Sequence, residues 1–238
     1  DCGTALIGGV GLGFANRVRR GRIGLVGASG TGLQAITSHI HALGGGVSHA
    51  LGTGGRDLKH EVGAITARQA LDVLARDPGT DVIVLVSKPP APEVATRLLA
   101  AARATGKPVV VDFIGYPPPG RALAGLRFAS SLQEAAELAV AGSPAMPPGK
   151  PATLTQGYLR ALFSGGTLAY EAMLGLQTLL TPLYSNVPIT PAQRLPDPLH
   201  SQGHTVLDLG EDLFTVGRLH PMMDNDLRIR RLRQEAAD

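Results

Sequence analysis

The run Arg22-Ile23-Gly24-Leu25-Val26-Gly27-Ala28-Ser29-Gly30-Thr31-Gly32-Leu33 joins a short apolar stretch to a glycine-rich turn and then to a helical pattern. Small residues let the backbone turn tightly, and a serine or threonine can cap the helix that follows. The first amides of such a helix, which have no partner within it, then face whatever occupies the turn. Outward from this run the same order repeats. Apolar strands are expected at Ile23 to Val26, Val47 to Leu51, Val82 to Val86 and Val109 to Phe113, with a further short strand near Arg127 to Ala129. Helices are expected at Leu33 to Leu43, Thr66 to Ala75, Glu93 to Thr105 and Leu132 to Ala141. Strands that are apolar throughout read as buried on both faces. The alternation of strand and helix gives an α/β class: a flavodoxin-like doubly wound parallel sheet with ligands at the carboxyl ends of its strands.

A second turn of like composition, Phe163-Ser164-Gly165-Gly166-Thr167-Leu168-Ala169-Tyr170-Glu171, lies well beyond the middle. Ser29, Gly30, Thr31 and Gly32 are thus one candidate anion site, and Ser164, Gly165, Gly166 and Thr167 another. Between them the Pro/Gly-rich passage Gly142 to Pro151 has no apolar period and reads as a linker. The expected organisation is a first domain at 1–142, a linker at 143–155, and the incomplete start of a second, similar unit at 156–238. In that unit Gln156 to Leu162 and Gly166 to Leu180 read as helices, Thr205 to Leu209 as a strand and Asp226 to Ala237 as a basic helix. The two strands expected there are too few to close a sheet.

At 238 residues the chain can bury a substantial core. The one cysteine, Cys2, excludes an internal disulfide framework, and no secretory leader or membrane-length apolar run is visible. A cytoplasmic location without membrane association is expected. The first residue is Asp, and the chain reads as an internal fragment of a longer protein. Arginines cluster at Arg17, Arg19, Arg20 and Arg22 and at Arg228, Arg230, Arg231 and Arg233. Such runs suit phosphate or carboxylate recognition, or simply a solvated face. With a net charge of +3, 4% aromatics and no tryptophan, there is little to grip and stack on bases, so nucleic acid is not an expected partner.

The first turn fits none of three well-known alternatives. No Lys-Ser/Thr follows its glycines, as a P-loop requires. The spacing is G-x-x-G-x-G and no acid ends the next strand, against a dinucleotide fingerprint. Thr31 stands where a nucleophile elbow has its last glycine. Lys88, at the end of a buried strand, is a candidate catalytic or anion-binding cation, or a lysine whose stem follows the sheet edge to water. Gly54, Gly55, Arg56 and Asp57 form a candidate substrate loop; a surface ion pair between Arg56 and Asp57 is the plainer account. Asp208, Glu211 and Asp212, with Arg218, His220 and Asp224, have spacing that suits Mg²⁺ only loosely, and no metal site is assigned.

The run from Arg22 to Thr31, with Gly52-Thr53-Gly54-Gly55-Arg56-Asp57, Ala75 to Leu85 and Gly106-Lys107-Pro108-Val109-Val110, resembles the ligase domain of the succinyl-CoA synthetase α subunit. Further residues resemble the FdrA branch of that superfamily, acyl-CoA-synthetase-like proteins: Leu43 to Ala50, Val86 to Ala95, Phe163 to Ala172, Asp208 to Asp212 and Gly217 to Asp224. The resemblance implies that a CoA-binding-like domain and the rest of the second ligase-like domain lie outside this chain. It also implies two helix N-termini facing each other across a phosphohistidine, roles that fit the turns at Ser29 and Ser164. The departure is at Tyr116 to Arg127, which has no histidine where the synthetases are phosphorylated, and at Lys88, where they have a glutamate. His49 and His220 are the candidate replacements. Three functions follow as expectations: an acyl-CoA synthetase-like component using CoA and ATP with Mg²⁺; a carbamoyltransferase component using carbamoyl phosphate, of the oxamate type; and a non-catalytic phosphate- or acyl-CoA-binding module. Each takes a small anionic substrate and works with other subunits or as a homo-oligomer.

Overall fold

The computed structural model describes residues 4–116, 120–140 and 157–237. Cys2, Pro117 to Pro119 and the expected linker lie outside the described residues. The chain divides into two compact units, Asp1–Pro147 and Pro148–Asp238.

In the first unit the elements run β1 (Thr4–Ile7), β2 (Val10–Gly13), β3 (Arg20–Gly27), α1 (Gly30–Ala42), β4 (Val47–Gly52), α2 (Ile65–Arg76), β5 (Val82–Ser87), α3 (Pro92–Ala104), β6 (Val109–Phe113), β7 (Ala122–Leu123), β8 (Leu126–Phe128) and α4 (Leu132–Ala139). One sheet holds all eight strands in the order β2-β1-β4-β3-β5-β6-β8-β7. The five from β4 to β8 in that order are parallel, and counted along the chain they follow 2-1-3-4-5. This is the flavodoxin-like order, and its topological switch point lies between the carboxyl ends of β3 and β5. The apolar strands read in the sequence are all present, and burial explains them. Leu25, Val26, Ile83, Val84, Val110 and Val111 are each at most 0% exposed. One face of the sheet packs under α2 and α3, through Leu71, Leu74, Leu98 and Val111 among others. The opposite face meets α1 and α4, which also touch each other.

The antiparallel additions at both edges were not read from the sequence. β1 and β2 form a hairpin alongside β4, and β7 folds back on β8. Their signal was present in Gly8-Gly9, which take φ of 56° and 89°, but four-residue strands containing glycine give little alternation to read.

The second unit contains β9 (Arg160–Phe163), α5 (Gly166–Leu176), β10 (Leu183–Ser185), a 3₁₀ turn at Pro191–Gln193, β11 (His204–Asp208), α6 (Asp212–Thr215) and α7 (Asp226–Ala237). Here two expectations are corrected. The stretch expected as a helix from Gln156 to Leu162 contains a strand at Arg160–Phe163, because pairing with Thr205 to Asp208 of β11 overrides the helix preference of Leu, Arg and Ala. The unit also has three parallel strands, in the order β10-β11-β9, rather than two. The helix expected to reach Leu180 ends at Leu176.

The basic last helix is tied down by ionic contacts. Arg231 Nε lies 2.6 Å from Glu235 Oε1, Arg160 Nε of β9 lies 2.8 Å from Glu235 Oε2, and Arg231 also donates to the carbonyls of Pro198 and Leu199. Arg231 and Glu235 are both buried. Arg230 pairs with Asp226 at 2.8 Å on the surface. Two members of this arginine cluster therefore serve the helix itself.

Candidate functional site at the carboxyl ends of the strands

Gly27 ends β3 at the switch point because nothing larger fits: a β-carbon there would lie 2.8 Å from Val86 Cγ1 and 2.9 Å from the Val86 carbonyl. The Ala28 amide donates to that carbonyl at 3.2 Å, and the Thr53 amide donates to Gly27 at 2.8 Å, so three strand ends are laced together around the turn. Ser29 then caps α1. Its backbone is extended, at φ −134° and ψ 107°, and its hydroxyl accepts the Gly32 amide at 3.0 Å. The serine thus satisfies the third amide of the helix itself, while Gly30 and Thr31 supply the first two, at the positive end of the helix dipole.

The loop after β4 corrects the reading of Arg56 and Asp57. Asp57 is 3% exposed, and its two oxygens accept the amides of Thr66 and Ala67 at 2.9 and 2.8 Å. It closes the start of α2 from outside the helix, where the N-cap residue, Ala64, has no side chain to do so and stands at φ 61°. Asp57 is therefore a structural cap, and Arg56 is exposed beside it. Gly54, at φ 80°, and Gly55 form the bend before them.

This loop, the turn and the end of β5 enclose an open cleft of about 410 Å³. It is lined by Ala28, Gly55, Leu58, Lys59, His60 and Lys88, with Glu61, Pro89 and Ala91 completing the wall. Lys88 follows the last residue of β5 and is exposed, so the desolvation argument for it fails. It stands in the wall of the cleft. Lys59 and His60 join it there, and the sequence reading passed over both; the signal was a basic pair just beyond the glycine-rich loop. His60 Nδ1 pairs with Glu93 in the first turn of α3, and that hydrogen bond holds the Glu93 carboxyl below its usual range. Thr53, at the end of β4, is 6% exposed, and its hydroxyl has no hydrogen-bond partner among the described residues.

His49 does not reach this cleft. It is the third residue of β4, opposite Gly24 rather than Gly27. Its Nδ1 accepts the Gly8 amide at 3.2 Å, and its Nε2 lies 3.3 Å from Asp77 Oδ2. With both nitrogens engaged, it fastens the β1–β2 turn to the loop after α2.

The second turn has a different register from the first. Gly165 is the N-cap of α5, with no side-chain cap, and Ser164 stands one residue earlier. Gly166 and Thr167 occupy the positions that Gly30 and Thr31 occupy in α1, and Thr167 is buried. Beside this turn, at the end of β11, Asn186 grips the backbone of Asp208 on both sides: its Oδ1 accepts the Asp208 amide at 2.9 Å and its Nδ2 donates to the Asp208 carbonyl at 2.8 Å. Asn186 Nδ2 also donates to Glu211 at 2.7 Å. The Asp208 carboxylate accepts the Gly210 amide at 2.9 Å. A β-carbon on Gly210 would lie 2.8 Å from His220 Nε2 and 3.0 Å from Asp208 Oδ1, so this glycine lets the imidazole and the carboxylate close in on either side. The Met222 amide donates to His220 Nδ1 at 3.2 Å, which leaves the proton of the neutral ring on Nε2. Asn186 was another residue the sequence reading missed. Among the described residues no group of three histidine, cysteine or acidic side chains could hold a metal ion, and no helix is long and apolar enough to cross a membrane.

Residues 18–115 match the CoA binding domain family, and residues 162–238 match the CoA-ligase family. The two matches follow one another along the chain, the first within the larger unit and the second within the smaller. The first match falls on the unit expected to be ligase-like, whereas the resemblance implied a CoA-binding-like domain outside this chain. Domain types and order support a place in the succinyl-CoA synthetase-like superfamily. The chain is 46% identical over 253 aligned residues to the uncharacterized protein YahF of Escherichia coli (strain K12), with all of this chain and 49% of that protein covered. It therefore spans about half the length of this relative. Dinucleotide-forming acetyl-coenzyme A synthetase 1 of Ca. Korarchaeum cryptofilum, in its apo form and in complex with phosphate and ADP, is 18% identical. In each case the match covers 74% of this chain and 41% of the enzyme, with a TM-score of 0.45.

Proposed function

We propose that the chain is part of an acid–CoA ligase of the FdrA type, in which the first unit binds CoA and the second handles the acyl-phosphate or phosphate intermediate. The supporting observation is the cleft at the switch point of the unit matched to CoA-binding domains, where Lys59 and Lys88 share the wall with Ala28, two residues ahead of α1. These donors fit the phosphate groups of CoA. CoA supplies the thiol that takes the acyl group. Lys59, Lys88 and the α1 amides would hold its phosphates by charge and hydrogen bonding. In the second unit the α5 amides of Gly166 and Thr167 stabilise a phosphoryl oxygen, and His220, with its proton on Nε2, donates to the leaving oxygen. Each of the turns at Ser29 and Ser164 offers its own helix N-terminus to a phosphate oxygen. The domain organisation 1–142, 143–155 and 156–238, work with other subunits or as a homo-oligomer, and a cytoplasmic setting belong to the same proposal.

Calorimetric titration with CoA tests the first half. Binding should weaken about tenfold or more when Lys59 and Lys88 are both replaced by Ala. The full-length protein should form a CoA thioester from a carboxylate and ATP; no thioester across a broad acid panel, with no CoA binding, overturns the reading.

A second reading, transfer of a carbamoyl group from carbamoyl phosphate, is favoured by one observation: Tyr116 to Arg127 contains no histidine to carry a phosphoryl group. In that chemistry phosphate arrives and leaves with the substrate. Incubation of the full-length protein with oxalurate and phosphate should yield carbamoyl phosphate, and its absence removes this alternative.

A further inference from the structure

We infer a second anion-binding site in the first unit, at the amino-terminal ends of the strands, built to take the oxyanion group of a small metabolite on Arg20. A cavity of about 320 Å³ opens there, lined by Gly8, Arg20, Gly21, Arg22, Ser48 and His49, with Asp77 and Gly79. It is at the opposite end of β3 from the turn at Ser29, and the CoA-ligase reading makes no use of it.

The backbone that forms this cavity is specific. Arg20 and Ile23 both stand opposite Val47, a bulge at the start of β3. With Gly21 and Arg22 looped between those two positions, the irregularity re-aims the side chains around it. The bulge requires two glycines: a β-carbon on Gly21 would lie 2.5 Å from Gly46 Cα, and one on Gly46 would lie 2.6 Å from the Arg20 carbonyl. The aliphatic stem of Arg20 then runs along the β1–β2 turn, where a β-carbon on Gly9 would lie 3.5 Å from Arg20 Cδ. That turn is itself held by the Gly8 amide on His49 Nδ1.

The charges around the cavity are satisfied with one exception. Asp77 accepts the Gly79 amide at 3.0 Å through Oδ1 and the Thr80 hydroxyl at 2.6 Å through Oδ2, and His49 Nε2 lies beside it. Thr80 in turn shares a 2.7 Å hydrogen bond with Ser48. Arg22 donates to Asp81 Oδ1 at 2.6 Å and to the Pro78 carbonyl at 3.0 Å. Arg20 alone among these charged side chains forms no ion pair or hydrogen bond through its guanidinium among the described residues. A guanidinium fork offers parallel N–H donors to a carboxylate or a phosphate. Gly8, Gly21 and Gly79 in the cavity wall carry no side chain, which leaves room for a small planar or tetrahedral group.

The test uses inorganic phosphate and oxalate as separate probes, followed by amide chemical shifts of the 238-residue chain. Site occupancy is read at the amides of Gly8, Gly21 and Gly79, apart from those of Gly30 and Thr31 at the other end of the sheet. At least one probe should shift the first group saturably, and Arg20→Gln should weaken that response about tenfold, with Arg20→Lys retaining part of it. The Gly30 and Thr31 responses of the Arg20→Gln protein should match the parent, which also shows that the fold is intact. A response to phosphate alone marks a phosphate site, and one to oxalate alone marks a carboxylate site. No saturable shift at Gly8, Gly21 and Gly79 with either probe, or an unchanged affinity in Arg20→Gln, overturns the inference.

Discussion

In the first unit the serine of the glycine-rich turn is the helix cap; in the second, the serine stands one residue ahead of the cap, which is Gly165. The two turns have nearly the same residues, but their threonines rather than their serines are equivalent. Thr31 and Thr167 each provide the second amide of a helix. What differs is the third amide. Ser29 takes it in α1, whereas the α5 cap has no side chain with which to do so, leaving more of its N-terminus to an external oxygen. The units also differ in what holds them. The first is built on a wide apolar sheet, and the second relies on a small sheet fastened by buried polar groups: Asn186 on Asp208, and Glu235 between two arginines.

The largest effect should come from breaking that ionic fastening. Glu235→Ala leaves Arg231 buried without its carboxylate and should cost the second unit about 3–5 kcal/mol. Hydrogen exchange should show β9, β11 and α7 losing protection while β3, β5 and β6 keep theirs. In the first unit, Asp57→Ala removes two charged hydrogen bonds to the start of α2 and should lower its stability by about 2 kcal/mol in denaturant titration. The serines then separate the two turns directly. Ser29→Ala should cost about 1 kcal/mol through loss of a cap, and Ser164→Ala less than about 0.5 kcal/mol. Equal costs would mean that the turns share a capping scheme after all.

The smallest effect is on acid stability. The Asp77 carboxyl is held below its usual value by the Thr80 hydroxyl first, then by the Gly79 amide, with His49 and Lys107 adding charge. A carboxyl depressed in the folded state contributes stability that is present above its unfolded pKa, about 3.9, and lost as pH falls through the folded value. Asp77→Asn should therefore flatten the acid limb of the stability curve below about pH 4 and leave its slope near neutrality unchanged.

The parallel strands were legible because burial on both faces writes itself as unbroken apolar runs, and the breakers Asp77-Pro78-Gly79 and Gly106-Lys107-Pro108 marked where helices stop. Ser29 was legible because a cap acts on its own neighbours. What failed to show were partners distant in the chain. Arg160 to Phe163 is a strand only because β11 lies beside it. Asp57 looks like half of an ion pair with Arg56 until α2, beginning eight residues later, presents its amides. Lys88 looked desolvated because the strand before it is buried, whereas the chain emerges into water at that residue. His49 lies within β4, which continues to Gly52 beyond it, so it stands away from the strand ends that form the cleft.

Asp57 also links two things that are usually separate. The loop that carries it forms one wall of the cleft at Gly55 and Leu58, and the same carboxylate closes the first turn of α2. A ligand that steadies the loop therefore steadies the helix, to the extent that it binds the folded loop in preference to the unfolded chain. The amides of Thr66 and Ala67 become a built-in gauge of occupancy: their exchange with solvent should slow as the cleft fills, although neither residue lines it.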